Sequence, residues 1–238
     1  MEDRIMTSCK KILLYLTAGL LLASCTMNQN IYLNNSGGGS VSFNLETADY
    51  LTDVLKELQS LFPSDQAVAE DGVLFDVPAI RSDFKEREDV ELLRLESPSP
   101  NRLEGEFEFK DMAAFFQTIP ENSPESNLIS LDKNGKTSTV TIRITRETVE
   151  ALLKANPSLN NPLVENFGPA ASEGLSQNDY LDMMEFALGS ESRQGLMDSA
   201  LNLTIRVDGK ITGQSGGTRV DGHTVRYKVP VLPVILLK

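Results

Sequence analysis

Apolar and polar residues alternate along several parts of the chain, a pattern typical of half-buried β-strands. It predicts strands over 41–45, 73–77, 90–95, 103–109, 201–207 and 225–229. Two further runs, 128–131 and 139–144, flank Asn134-Gly135. Because Asn-Gly tolerates the positive φ angles of a type I′ turn, these two runs are predicted to form a hairpin. These two strands are therefore predicted to be antiparallel.

Helical periodicity appears between the strands. The clearest apolar stripe follows Thr47 and ends at Pro63, with members at Leu51, Val54, Leu55, Leu58, Leu61 and Phe62. Helices are also predicted over 112–117 and after Thr145, and Ser176 with Asp179 forms a capping box that opens another. Because strands and helices mix without a βαβ rhythm, the sequence predicts an α+β fold, with helices packed on one face of an antiparallel sheet.

The amino end has the features of an export signal. Lys10 and Lys11 precede the apolar run 12–22, which is too short to span a bilayer with its flanks. Leu22-Ala23-Ser24-Cys25 then fits the bacterial lipobox, which predicts a lipoprotein signal peptide over 1–24 and cleavage between Ser24 and Cys25. The Cys25 thiol would carry diacylglycerol, and its freed amine a third acyl chain such as palmitate. Either Met1 or Met6 can serve as the start.

Residues 25–40 are rich in Asn, Ser and Gly. This composition is typical of flexible coil and predicts a tether between the lipidated Cys25 and a folded ectodomain over 41–238. The predicted location is the bacterial cell envelope, lipid-anchored to a membrane, with the ectodomain outside the cytoplasm. The choice between inner and outer membrane stays open.

Net charge and cysteine content exclude several classes of function. Residues 1–24 hold three of the 22 basic and two of the 34 acidic residues, so the chain from Cys25 onward has a formal net charge of −13. An acidic protein lacks the basic footprint that nucleic acid requires. The two cysteines are Cys9, lost with the signal, and Cys25. We therefore expect no disulfide, no metal site and no cofactor other than the covalent lipid.

Gly213-Gln-Ser-Gly-Gly217 matches the G-x-S-x-G motif of serine hydrolases. Ser215 would need His223, the single histidine, and an acid such as Asp221 to converge with it. No helical pattern follows the motif, so a tight turn between strands is the favoured interpretation. A serine hydrolase is the remote alternative, and we expect no enzyme.

Three acidic residues, Glu104, Glu106 and Glu108, share one face of a predicted strand, where a solvated surface is favoured over acid/base or cation chemistry.

Asp132-Lys-Asn-Gly135 resembles the start of a calcium loop but lacks its terminal glutamate, so a hairpin turn is favoured. The apolar run Val231 to Leu237 is too short to span a membrane. It is predicted to close the sheet as an edge or core strand, with one wall of an apolar pocket as the alternative.

The segment from Asp208 to Tyr227 resembles the closing hairpin of LppM-type bacterial lipoproteins. The matching positions are Ile211, Ser215-Gly216, Asp221-Gly222, Thr224-Val225 and Tyr227. The Gly-rich stretch before Val41 and the Leu-rich helix after it are also similar. The chain has Asp208-Gly209 where the family often has Pro-Gly, and Tyr227 where it often has Trp. The resemblance implies an α+β envelope lipoprotein with lipid-related roles and no established catalysis.

These observations favour a membrane-anchored envelope lipoprotein with a noncatalytic binding ectodomain. A groove between sheet and helices is the expected site for a lipid or other apolar ligand, and its residues are unknown. The alternative is a structural or protein-interaction lipoprotein without a pocket. The predicted partners are the membrane, through the acyl anchor, and a lipid or an envelope protein.

Overall fold

The structure, a computed structural model, describes residues 25–50, 75–85, 87–112, 129–143, 145, 147–148 and 167–236. Its elements in chain order are β1 Cys25–Leu33, β2 Gly39–Thr47, α1 Val77–Lys85, β3 Val90–Ser99, β4 Arg102–Phe109, β5 Ile129–Asn134, β6 Thr137–Ile142, α2 Gln177–Leu188, α3 Glu191–Asp198, β7 Ala200–Val207, β8 Thr218–Arg219, β9 Thr224–Pro230 and α4 Val231–Leu236. Among the helices of these segments, none combines the length and apolarity that crossing a bilayer requires.

Seven strands form one sheet in the order β3-β4-β2-β1-β7-β9-β8, and β5 pairs with β6 in a separate hairpin. All neighbours in the large sheet are antiparallel except β1 and β7, which are parallel. The α+β prediction is confirmed. The sheet is nevertheless mixed, because β7 aligns with β1 from far along the sequence.

One face of the sheet is apolar. Alternate residues of the five central strands point to it, so that Met27 on β1, Leu45 on β2 and Leu103 on β4 lie side by side and are all buried. Ile80 and Phe84 of α1 pack against this face, and the Phe84 and Phe107 rings lie 5.4 Å apart between centroids. A helix therefore covers the apolar side of the sheet beside β3.

A second apolar cluster lies among α2, α3 and α4. Its core members are Tyr180, Leu181, Met184, Leu196, Val231, Leu232, Ile235 and Leu236. The capping box predicted for α2 is present: the Ser176 hydroxyl accepts from the Asp179 backbone N–H at 3.1 Å, and the Asp179 carboxylate accepts from the Ser176 N–H at 3.3 Å.

The flexible tether is the largest correction. Residues 25–33 form β1, which pairs with β2 on one side and β7 on the other. The alternation Met27, Gln29, Ile31, Leu33 is hard to recognise in the sequence because Gln29 interrupts the apolar set and the neighbouring asparagines resemble a linker in composition. Central pairing satisfies the backbone of this polar segment on both sides, which outweighs the low β-propensity of asparagine.

Two further elements differ from their predictions. The run predicted as a closing strand is helix α4, in which Pro233 occupies the third position, where its missing N–H has no intrahelical partner. The strand predicted over 73–77 is wrong at its described end, since α1 begins at Val77. The predicted hairpin is confirmed, with Gly135 at φ 61° between β5 and β6. The helices predicted over 51–62 and 113–117 lie outside the described residues.

Candidate functional site

Cys25 is the first residue of β1, at one end of the large sheet. In the backbone register, Cys25 lies opposite Thr47 of β2, and Thr26 lies opposite Ala200 of β7. Thr47 is buried at this end, and its backbone N–H donates to the Asn101 carbonyl at 2.9 Å. α3 ends at Asp198, and Ser199 alone separates it from Ala200. We call this the Cys25 end of the sheet.

The second face of the sheet is hydrophilic, apart from Ala200 and Pro230 at the Cys25 end. We call it the polar face; its members are Glu91, Arg94 and Glu96 on β3, Arg102, Glu104, Glu106 and Glu108 on β4, Ser40, Ser42, Asn44 and Glu46 on β2, Thr26, Asn28, Asn30 and Tyr32 on β1, Asn202, Thr204 and Arg206 on β7, and Thr224, Arg226 and Lys228 on β9. The predicted solvated position of the three glutamates of β4 corresponds to this face, and Asn28, Asn30, Glu108 and Lys228 are exposed on it.

Charge on the polar face is separated by strand. The β3–β4 half carries five glutamates and two arginines, whereas the β7–β9 half carries Arg206, Arg226 and Lys228 without an acidic residue. Between them, β1 and β2 contribute mostly uncharged amides and hydroxyls. Side-chain hydrogen bonds cross this centre, from Asn30 Nδ2 to Ser42 Oγ at 3.3 Å and from Asn202 Nδ2 to Asn28 Oδ1 at 3.0 Å. The face is thus acidic at one side edge and basic at the other.

Part of the acidic half is neutralised internally. Arg94 lies 2.6 Å from Glu96 and 3.3 Å from Glu104, and Arg102 lies 2.6 Å from Glu104. Glu104, with 16% side-chain exposure, is the best protected of the carboxylates in these pairs. Glu91 and Glu108 are cross-strand partners of like charge, an arrangement that costs stability. The acidic half therefore keeps an excess negative charge at the end away from Cys25.

A cleft of about 250 Å³ opens on the polar face near that far end. Tyr32, Ser40, Glu91, Glu108 and Lys110 line it together with Asn34, Gly38, Gly39 and Phe109. It is open to solvent, and most of its lining residues are polar or charged, unlike those of the apolar groove expected between sheet and helices. The segments 51–74 and 113–128, where helices were predicted, lie outside the described residues, so the apolar groove stays a prediction.

Tyr32 connects this cleft to the loop after β7. Its hydroxyl donates to Asp208 Oδ1 at 2.8 Å, and this bond raises the pKa of the Tyr32 phenol because it favours the protonated form. The β1–β2 turn beside it is held by Asn34, whose Oδ1 accepts from the backbone N–H groups of Ser36 and Gly38, both at 3.0 Å. Loop and turn are therefore joined at the end of the sheet away from Cys25.

The residues of the remote hydrolase alternative are not brought together. His223 Nδ1 lies 2.7 Å from the Gly209 carbonyl, which can only accept, so this nitrogen carries the proton and does not face an acid. Asp221 instead accepts from the His223 backbone N–H at 2.7 Å, which lowers the pKa of the Asp221 carboxyl. Among the residues that the structure describes, no hydrogen bond joins Ser215 to His223. Gly216 and Gly217 have φ near 65°, as expected of the favoured turn.

The apolar end of the chain is packed. Ser172 Oγ bonds the Ile235 carbonyl at 3.1 Å and so fastens α4 to the loop before α2. The Tyr180 hydroxyl donates to the Phe167 carbonyl at 2.7 Å, and burial raises the pKa of the Tyr180 phenol. Within the described segments, no group of three or more His, Cys, Asp and Glu residues is arranged to hold a metal ion.

No protein-family model matches the chain, and no curated protein matches it. Among solved structures, it is similar to the folded domain of the Mycobacterium tuberculosis LppM protein, determined by NMR, over 87% of this chain and 82% of that chain. The sequence identity is 12% and the TM-score 0.38. The family to which the closing hairpin is similar thus reappears, at a similarity too low to place the chain in it or to support a function.

Proposed function

We propose that the chain is a lipid-anchored lipoprotein of the bacterial envelope that acts without catalysis, through the surface of its α+β domain. The lipobox Leu22-Ala23-Ser24-Cys25 is the sequence basis for the anchor. The observation that carries the proposal is that Cys25, the last residue of the lipobox, is itself part of β1 and lies opposite Thr47, the last residue of β2. Cleavage before Cys25 would leave in the mature chain every paired residue of the large sheet that the structure describes.

This position of Cys25 has a consequence for orientation. An acyl group on Cys25 would hold the start of β1 at the membrane with no linker between lipid and fold. The Cys25 end would then be next to the bilayer, and the cleft and the Tyr32–Asp208 bond would lie at the end away from it. The polar face would remain exposed to solvent next to the membrane. An exposed polar surface favours a protein-interaction role for the domain over the binding of a buried apolar ligand.

Mass spectrometry of the protein purified from a bacterial membrane tests the anchor. We expect a chain that begins at Cys25 and carries the mass of a diacylglyceryl group, with or without an amide-linked acyl chain. Cys25→Ser should abolish the modification, and Cys9→Ser, which alters only the predicted signal peptide, is the matched control. A mature chain that retains residues 1–24, or begins elsewhere without lipid, would refute the proposal.

A further inference from the structure

The polar face has rows of residues that run across the strands. One row is Glu96, Glu104, Asn44, Asn28, Asn202 and Lys228, and the row nearest the cleft is Glu91, Glu108, Ser40, Tyr32, Arg206 and Thr224. Both of these rows begin with negative charge on β3 and β4 and reach positive charge on β7 or β9, whereas the row between them begins with Arg94 and ends with Arg226. The centre of each row lies between β2 and β1. A surface of this kind is complementary to itself when one row is reversed against another.

Symmetry limits how two such faces can meet. Two sheets stacked face to face can be related by a two-fold axis between them, running either parallel to the strands or across them. An axis across the strands places each strand opposite itself, so that the carboxylates of β4 face those of β4 in the second copy. An axis parallel to the strands reverses each row, so that acidic strands face basic strands. Charge therefore selects the parallel axis.

The parallel axis produces specific pairs at equal height. With the axis between β1 and β2, Glu108 of one copy faces Arg206 of the other, and Glu96 faces Lys228. Each pair occurs twice because the contact is symmetric. Arg94 would face Arg226, a repulsive contact that the neighbouring Glu96 and Glu104 offset in its own copy, so Glu96 would be shared between Arg94 and Lys228. In the centre, uncharged amides and hydroxyls of β1 face those of β2.

The axis parallel to the strands is also the one compatible with two copies anchored in the same membrane. A rotation about an axis parallel to the strands keeps both Cys25 ends at the same end of the assembly. The axis across the strands would send the two Cys25 ends in opposite directions, which two anchors in one leaflet cannot accommodate. The charge pattern and the position of Cys25 are independent observations, and both select the same arrangement.

We propose that the partner of the polar face is a second copy of this chain, held in the same membrane and related by a two-fold axis parallel to β1. This inference rests on the proposed lipid anchor. Six strands about 4.8 Å apart and about eight residues long give a face of roughly 600 Å² per copy, or about 1,200 Å² in total, the lower limit of stable interfaces. A polar interface of this size requires a high effective concentration of the second copy. Confinement of both copies to one membrane supplies that concentration.

Cross-linking of the full chain in bacterial membranes tests the arrangement. Two differently tagged copies are co-expressed, one with Asn30→Cys and one with Ser42→Cys, and treated with a short bis-maleimide, since packed sheets lie about 10 Å apart. Asn30 and Ser42 are cross-strand neighbours within one copy, so a product joining the two tags reports only contact between copies. The control pair combines Asn30→Cys with Glu191→Cys on α3. We expect the mixed-tag product to exceed the control at least severalfold.

Charge reversal tests the pairs themselves. Glu108→Arg and Arg206→Glu should each lower the mixed-tag product about tenfold, because each replaces two attractive pairs with two repulsive ones. The double variant should restore it, whereas Lys136→Glu on the β5–β6 hairpin should change nothing. A double variant that yields no more mixed-tag product than the single variants would overturn the proposal. Mixed-tag product at the level of the control pair, in chains whose Cys25 is acylated, would overturn it as well. The mass measurement on the same membranes reports separately whether Cys25 is acylated. Strong mixed-tag product in chains without an acylated Cys25 would therefore support the contact between polar faces and refute the lipid anchor.

Discussion

Replacing Met27 with alanine should destabilise the domain, because Met27 is a core residue of a central strand. Its side chain is 4% exposed and lies in register between Leu45 on β2 and Leu201 on β7. Truncation of a buried methionine to alanine costs about 2–5 kcal/mol, from lost burial and the cavity that remains. In a domain of this size, such a loss lowers the melting temperature by roughly 5–15 °C.

The matched control is Asn30→Ala on the opposite face of the same strand. Asn30 is exposed and donates one side-chain hydrogen bond to Ser42 at 3.3 Å, so its removal should change stability by only about 0.5 kcal/mol. Urea unfolding of residues 25–238 with Cys25→Ser, followed by circular dichroism, measures both variants in a soluble chain. Equal midpoints for Met27→Ala and Asn30→Ala would refute the reasoning, because a flexible tether predicts that neither substitution matters.

Truncation extends the same test. A chain that begins at Gly39 lacks β1, so β2 and β7 lose their shared neighbour and their facing backbone groups lose their partners. We expect this chain to be insoluble or to lack a cooperative unfolding transition, whereas the chain that begins at Cys25 unfolds cooperatively. A stable, cooperative domain from Gly39 would show that β1 is dispensable.

Three further predictions concern single side chains. Gly105→Ala should cost about 1–3 kcal/mol in urea unfolding, since a β-carbon there would lie 2.6 Å from Phe43 Cε1; an unchanged midpoint would contradict the packing. Ser176→Ala should cost about 1 kcal/mol through loss of the α2 cap, and Ser176→Asp, which can also accept at the cap, should recover most of it. Above pH 10 the unfolded chain releases the Tyr180 proton, whereas the folded chain retains it. The contribution of Tyr180 to the free energy of unfolding is therefore complete below pH 10 and should fall by about 1.4 kcal/mol per pH unit above it. Tyr180→Phe should cost about 1 kcal/mol at pH 7 through the lost bond to Phe167 and should flatten that alkaline decline; an equally steep decline in the variant would assign it to other groups.

Local patterns predicted much of the secondary structure correctly. The strands around Val41, Phe107, Leu203 and Val225 alternate strictly, and each is present in the structure. The Ser176 cap was also recognised, because its hydrogen bonds join residues only three apart. Such signals depend on neighbouring residues alone, so no knowledge of the fold is needed to interpret them.

Signals that depend on distant residues were missed. The amide-rich segment of β1 resembles a linker, and only pairing with β2 and with β7, more than 160 residues away, makes it a central strand. The apolar run at Val231 was predicted as a strand, yet it is a short helix buried against α2 and α3. In both cases local composition is ambiguous, and burial and backbone pairing decide the conformation.

The sequence by itself determined the α+β class, the acidic character of the chain, the predicted anchor at Cys25 and the acidic stripe on β4. Only the tertiary structure decided that Cys25 lies in a central strand, that β7 is parallel to that strand, and that basic residues of β7 and β9 share a face with the glutamates of β4. Alternation along one strand specifies which residues share a side of that strand. The order of strands, which arises from pairing across long sequence separations, specifies which charges meet on one surface.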